Sequence, residues 1–186
     1  MHDTKIAFLV ANEGIERVEL TGPWDAVTDA GYQPVLLAPE AGDAKLFDHL
    51  DRVDSMPAEG LQDAGSADDY AALVLPGGVA NADELRTNAD AVAFAGAFLA
   101  SGKPVAAICH APWTLVESDV LAGRKLTSWP SLRTDILNAG GEWVDERCVV
   151  DGNLITSRGP DDLPAFTAAL LEAVNHGAAS ADVAAM

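Results

Sequence analysis

The chain has 186 residues, 49% of them apolar and 6% aromatic, enough for one well-buried domain with a core mainly of Ala, Val and Leu. Its formal charge of −18, from 29 Asp and Glu against 11 Lys and Arg, repels nucleic acid and anionic membranes and argues against both as partners. No apolar run approaches the roughly 18–20 residues of a membrane span. The N-terminus leads into a strand-like segment without signal-peptide character. Two cysteines, Cys109 and Cys148, make neither a disulfide framework nor a CxxC metal site, so a reducing, cytoplasmic location is expected.

Residues 5–10 (KIAFLV) read as a buried strand by their continuous apolar character. Residues 14–31 carry a helical pattern interrupted by Gly22-Pro23; Pro23 suits the first turn of a helix that reaches Ala30, with Gly31 as its stop. Val35-Leu36-Leu37 is a second strand. Residues 43–69, polar and punctuated by glycine, are expected as excursions at the edge of a sheet. Residues 71–75 (AALVL) form another buried strand, ended by Pro76-Gly77-Gly78. A helix over 89–100 stops at Gly102, and the apolar run 104–108 follows. Beyond it come a short strand at 124–127 and a helix over 131–139, capped by Ser131 and closed by Gly140. Residues 148–150 and 154–156 pair as a hairpin across Asp151-Gly152-Asn153. Asp161 and Asp162 open a last helix to about Asn175. A single domain thus covers 1–176, and residues 177–186 form a frayed, disordered tail.

Alternating strands and helices imply a mostly parallel sheet covered on both faces, a three-layer α/β sandwich. Ligands bind such sheets at the carboxyl ends of the strands. Cys109, the Pro76-Gly77-Gly78 turn and Ala11-Asn12-Glu13 all fall there. Cys109 ends a strand, His110 follows at once, and Pro112-Trp113-Thr114-Leu115 begins a helix. A cysteine at such a turn meets free backbone N–H groups and the positive end of a helix dipole, an environment expected to lower its pKa. The geometry parallels the serine-bearing turn of α/β-hydrolases, with sulfur in place of oxygen. The alternative is a small buried hydrophobe. Cys148, beside Val149 and Val150, reads as structural, and His2, His49 and His176 show no metal-ligand spacing.

An ordered set of motifs resembles the ThiJ/PfpI superfamily: Ala11-Asn12-Glu13 with Glu16-Arg17-Val18-Glu19-Leu20, Leu75-Pro76-Gly77-Gly78, Ala107-Ile108-Cys109-His110, Asn138-Ala139-Gly140, and Ser157-Arg158 before Pro160-Asp161-Asp162-Leu163. Within it the chain is most similar to PfpI-type intracellular proteases and general stress proteins. The resemblance covers residue 5 to about 174. It implies a flavodoxin-like fold of the class I glutamine amidotransferase-like kind and assembly into homodimers or higher oligomers. It also implies that Cys109 is the reactive cysteine and that Glu16 is the acid which, when protonated, donates a hydrogen bond to the thiolate. Residue spacing alone does not choose among Glu13, Glu16 and Glu19.

The resemblance further places the amides of Gly77 and Gly78 opposite the cysteine, where with those of His110 and Ala111 they would form an oxyanion site. It implies that His110 acts with an acid from a neighbouring subunit, matched best by Asp83, with Glu84 as competitor. Ala111 stands where the family usually has glycine, a change expected to narrow the site or shift an oxyanion amide. Trp113 is expected to wall the pocket and favour small substrates, or else to be plain core. Arg158 is expected near the pocket mouth or on the surface.

Three functions follow from the resemblance. One is chemistry on small carbonyl compounds or on glycated protein and peptide, of glyoxalase or deglycase type and without cofactor or metal. A second is peptide hydrolysis through an acyl-thioenzyme. A third, not enzymatic, is redox sensing or chaperoning in the stress response through oxidation of Cys109. Glutamine amidotransferase chemistry is excluded, because His176-Gly177-Ala178 lacks the acid of a late His-x-Glu pair.

Overall fold

Every residue of β1 (Lys5–Leu9) after the first is buried, because the strand is covered on both sides. Ile6 and Phe8 join one apolar layer and Ala7 and Leu9 the other, as the twofold period of a strand requires. The computed structural model describes residues 4–184, with side chains through residue 177.

β1 is followed by β2 (Ile15–Glu16), α1 (Arg17–Asp29) and β3 (Gln33–Ala38), then by a hairpin of β4 (Gly42–Asp48) and β5 (Asp51–Gly60). β6 (Ala72–Leu75), α2 (Val79–Leu85), α3 (Ala89–Ala100), β7 (Val105–Ile108) and α4 (Pro112–Glu117) complete the first part. β8 (Lys125–Leu126), α5 (Arg133–Asn138), β9 (Glu142–Trp143), β10 (Cys148–Asp151), β11 (Leu154–Ser157) and α6 (Leu163–Ala184) make the second. Nine strands form one sheet in the order β10-β11-β7-β6-β1-β3-β5-β4-β2, and β8 pairs with β9 separately. The six strands from β11 to β5 run parallel; β10 and β4 are antiparallel to their inner neighbours. α1 and α6 cover one face through Leu20, Val27, Phe166 and Leu170. Leu85, Phe98, Leu115 and Ile136 cover the other. This is the three-layer, flavodoxin-like sandwich expected from the sequence.

Several elements differ from that expectation. α1 starts at Arg17 and runs unbroken through Gly22-Pro23, so Pro23 lies inside the helix and is buried. Proline in a helix interior removes one backbone hydrogen bond, and here the packed face of Glu19, Leu20, Pro23 and Val27 holds the helix together across it. Residues 43–69 supply the edge hairpin β4–β5 and two short 3-10 turns. Ser131 does not cap α5, whose N-cap is Leu132. The backbone of α6 continues past Asn175 to Ala184. Of the tail expected to fray, the side chains beyond 177, like His2 and residues 185–186, lie outside the described residues. No helix among the described residues is long and apolar enough to cross a membrane.

Candidate active site

Strand β7 delivers Cys109 to the carboxyl end of the sheet, where the chain must turn at once into α4. Cys109 makes that turn with φ of 63°, in the left-handed region that residues with a side chain seldom occupy. Two hydrogen bonds hold it there: its N–H donates to Ser157 O (3.0 Å), and its carbonyl accepts from Trp129 N–H (2.8 Å). Because Cys109 lies outside the helix, it and His110 are not splayed as consecutive helical residues would be. Sγ instead lies 3.2 Å from His110 Nδ1.

The carboxyl beside the sulfur belongs to Glu19, not to Glu16. A Cβ placed on Gly77 would collide with both Glu19 Oε2 and the Cys109 Cβ, so this glycine is wedged between them. Glu19 sits in the first turn of α1 on its buried face, fully excluded from solvent. Glu16 precedes the helix in extended backbone; its N–H donates to Gly77 O (3.2 Å), and its side chain turns to the β4–β5 hairpin. There its Oε2 accepts from His49 N–H (3.2 Å) and lies 3.6 Å from the His49 ring. A helix starting at Arg17 points residue 19 inward and leaves residue 16 at the rim.

Burial raises the Glu19 carboxyl from its ordinary 4.5 to about 8, opposed by the sulfur and by the Gly77 amide. Both its oxygens lack a regular hydrogen bond. The Cys109 thiol is pushed up as well, first by burial and then by the charge Glu19 would carry, while the Gly78 and His110 amides pull it down. This reverses the lowered thiol pKa expected from the sequence: α4 has only six residues, and its dipole does not offset desolvation. The two groups are coupled. Loss of a proton from either group opposes its loss from the other. His110, also buried, is lowered from its ordinary pKa and is therefore a neutral imidazole at pH 7. Its Nε2 lies 3.3 Å from Ser131 Oγ.

Of the four amides expected around the sulfur, those of Gly78 and His110 face it. The Gly77 amide serves Glu19 instead, and the Ala111 amide is committed to Ile108 O at 3.1 Å. Ala111 is right-handed (φ −54°, ψ −33°) and buried in the core, so nothing at this position calls for glycine. Gly78 does require it, with φ of 98° and with Gly14 O and Glu16 N where a Cβ would stand.

Cys109 and His110 open on a cleft of about 1040 Å³. Trp113 and Trp129 wall it, the Trp129 ring stacked on His110 at 5.9 Å and Trp113 5.4 Å from the same ring. Trp113 is fixed by Nε1–H donating to Asp135 (2.7 Å), with Arg86 5.2 Å above its ring. Phe47, His49 and Leu50 from the edge hairpin form the lip. Asp83 lies on the rim, and Glu84 does not reach the cleft. Arg158 is also away from the cleft. It grips Asp162 through Nε (2.8 Å) and Nη2 (3.0 Å) and Asp145 through Nη1 (2.8 Å), so its charge is spent on structure.

Sequence reasoning missed two contributors and placed a third, Glu19, behind Glu16. Trp129, from the loop after β8, supplies an aromatic wall and a clamp on the elbow. Asn81, fully buried, accepts from Ala11 N–H (2.7 Å) and donates to Pro76 O (3.0 Å) and Gly77 O (2.9 Å), fixing the glycine turn to β1. Glu19, spaced by four from Pro23 and by eight from Val27, shares one buried helical face with them, a pattern that shows only once α1 is known to run through Gly22-Pro23. No group of three His, Cys, Asp or Glu among the described residues is arranged to hold a metal ion.

A parallel sheet with a strained cysteine elbow at its carboxyl end and a buried carboxyl behind the sulfur defines a class of α/β proteins. The pattern of the DJ-1/PfpI family matches residues 4–173, and the chain belongs to that family. It is 41% identical over 162 residues to Deglycase PH1704 of Pyrococcus horikoshii, covering 87% of this chain and 94% of that one. Protein/nucleic acid deglycase 2 of Escherichia coli is 41% identical over 163 residues, covering 87% and 92%. Among solved structures, a two-domain Anabaena variabilis protein with DJ-1/ThiJ/PfpI-like and ferritin-like domains superimposes with a TM-score of 0.86 at 37% identity. The match covers 95% of this chain, which spans about half (49%) of that longer protein. Drosophila melanogaster DJ-1beta gives a TM-score of 0.81 at 26% identity, with 96% and 97% covered.

Proposed function

We propose that the chain is a thiol-dependent enzyme acting on small reactive carbonyl compounds or their adducts, of glyoxalase or deglycase type. The observation that carries this reading is the sulfur of Cys109 at the floor of an open cleft, flanked by a protonated carboxyl and a neutral imidazole. The relatives named as deglycases support it.

With a 2-oxoaldehyde, His110 Nδ1 takes the thiol proton as Sγ bonds to the aldehyde carbon, and the proton passes to the former carbonyl oxygen. Glu19, itself protonated, steadies the developing thiolate by donating to it. The Gly78 and His110 amides supply positive potential at the same point. From the resulting hemithioacetal, His110 removes the carbon-bound proton to give an enediol and returns it to the neighbouring carbon, leaving an acyl thioester. Water cleaves that thioester, releasing a 2-hydroxy acid and restoring the thiol. The substrate is both oxidised and reduced internally, so no external electron carrier enters.

Purified protein is expected to convert methylglyoxal to lactate without added glutathione, and Cys109→Ser to abolish the conversion. Undiminished turnover in that variant would refute the reading. The 3.2 Å contact between Cys109 Sγ and His110 Nδ1 favours peptide hydrolysis as a second reading. Turnover of fluorogenic peptides, with methylglyoxal left untouched, would select it.

A further inference from the structure

The cleft is unevenly charged. Five carboxyl groups line it, those of Glu13, Glu16, Glu19, Asp83 and Asp161, and no Lys or Arg among the described residues does. One of the five is paired with a cation, Glu13 with Lys45 at 2.6 Å, and Glu16 accepts from the His49 N–H at 3.2 Å. Glu19 is fully buried, its oxygens without a regular hydrogen bond, and it faces into the cleft. Asp83 on α2 and Asp161 on the turn before α6 are exposed and have no ion-pair or hydrogen-bond partner among the described residues. The nearby guanidinium groups are engaged elsewhere, Arg86 with Glu117 and Arg158 with Asp145 and Asp162. The rings of Trp113 and Trp129 line the same cleft, and an aromatic face favours a cation over an anion, as Arg86 over the Trp113 ring illustrates.

We propose that Asp83 and Asp161 are specificity-determining residues, which select carbonyl substrates bearing a positive charge near the reacting carbon and disfavour those bearing carboxylate or phosphate. This rests on Cys109 as the reacting atom. A low-dielectric cleft of one sign concentrates opposite charge and repels like charge, and the effect operates on the second substituent while the carbonyl meets the sulfur. Asp83 lines the same cleft as Cys109 of its own chain.

Three probes of similar shape test it: phenylglyoxal unsubstituted, with a para trimethylammonium group, and with a para carboxylate. At low ionic strength kcat/KM should rank cation over neutral over anion, with about ten- to thirtyfold between the extremes. Asp83→Asn with Asp161→Asn should shrink that span to about threefold or less, mainly through KM, and 0.5 M salt should act in the same direction. Titration of the Cys109→Ala protein with the same probes, followed by tryptophan fluorescence, should give the same ranking without turnover. Absence of turnover with all three would thus refute the catalytic reading alone. Equal affinities for the three probes, or equal loss of all three activities in the Asn variants, would overturn the charge selection.

Discussion

Replacing Glu19 by Gln separates its two effects, on the fold and on the sulfur. Its carboxyl has a pKa of about 8 in the folded chain against an ordinary 4.5. An acid whose pKa is raised by folding stabilises the native state fully below 4.5, and that stability is lost as pH climbs toward 8. At pH 7 the loss spans about 2.5 pH units at about 1.36 kcal/mol each, or ~3 kcal/mol as an upper bound. Gln fills the same volume and never ionises. Glu19→Gln is therefore expected to raise Tm by up to about 6–12 °C at pH 7 for a domain of this size, with the difference shrinking toward pH 4.5. Thermal unfolding of both proteins in steps from pH 4.5 to 8 measures this directly. Alkylation of Cys109 by iodoacetamide gives the second readout: above pH 8 it should run slower in the wild type than in Glu19→Gln, because the ionised carboxylate opposes formation of the thiolate. Glu16→Gln, which removes only a lesser repulsion on Glu19, should shift both curves far less. A Tm difference independent of pH, or an alkylation profile that follows Glu16 instead, would refute the placement of the proton.

Gly77→Ala puts a methyl group between Glu19 and Cys109 and should cost about 1–3 kcal/mol in chemical denaturation while depressing thiol reactivity. Asn81→Ala removes three buried hydrogen bonds and should destabilise by about 2–4 kcal/mol, read from the denaturant midpoint. Arg158→Ala leaves the buried Asp162 with the backbone N–H of residue 158 (3.2 Å) and a distant Arg147 at 3.9 Å, so stability should fall by about 3 kcal/mol while kcat/KM for methylglyoxal is retained. An activity loss without destabilisation would return Arg158 to the cleft.

The alternation of apolar strands with helices made the sandwich legible, because strands buried on both faces leave an unmistakable run such as residues 105–108. Cys109 was legible for the same reason: it sits where such a run ends. The identity of its acid was not. Choosing between Glu16 and Glu19 depends on where α1 begins, and a Gly-Pro pair inside the helix hid that start. The thiol's raised pKa was equally hidden, since desolvation depends on what packs over the sulfur from distant segments. Trp129 and Asn81 act through backbone contacts that cross the chain, and no local spacing announces them. Arg158 stood near the right loop in sequence, but the buried Asp162 four residues on captured it.

The left-handed backbone at Cys109 sets chemistry against ease of folding at a single position. A side chain there costs about 1–3 kcal/mol that glycine would not incur. Random substitution under selection for thermal resistance alone should drift toward Gly or Asn at 109, discarding the sulfur while relaxing the turn. A screen that rewarded durability alone would thus lose the one atom that the proposed chemistry requires.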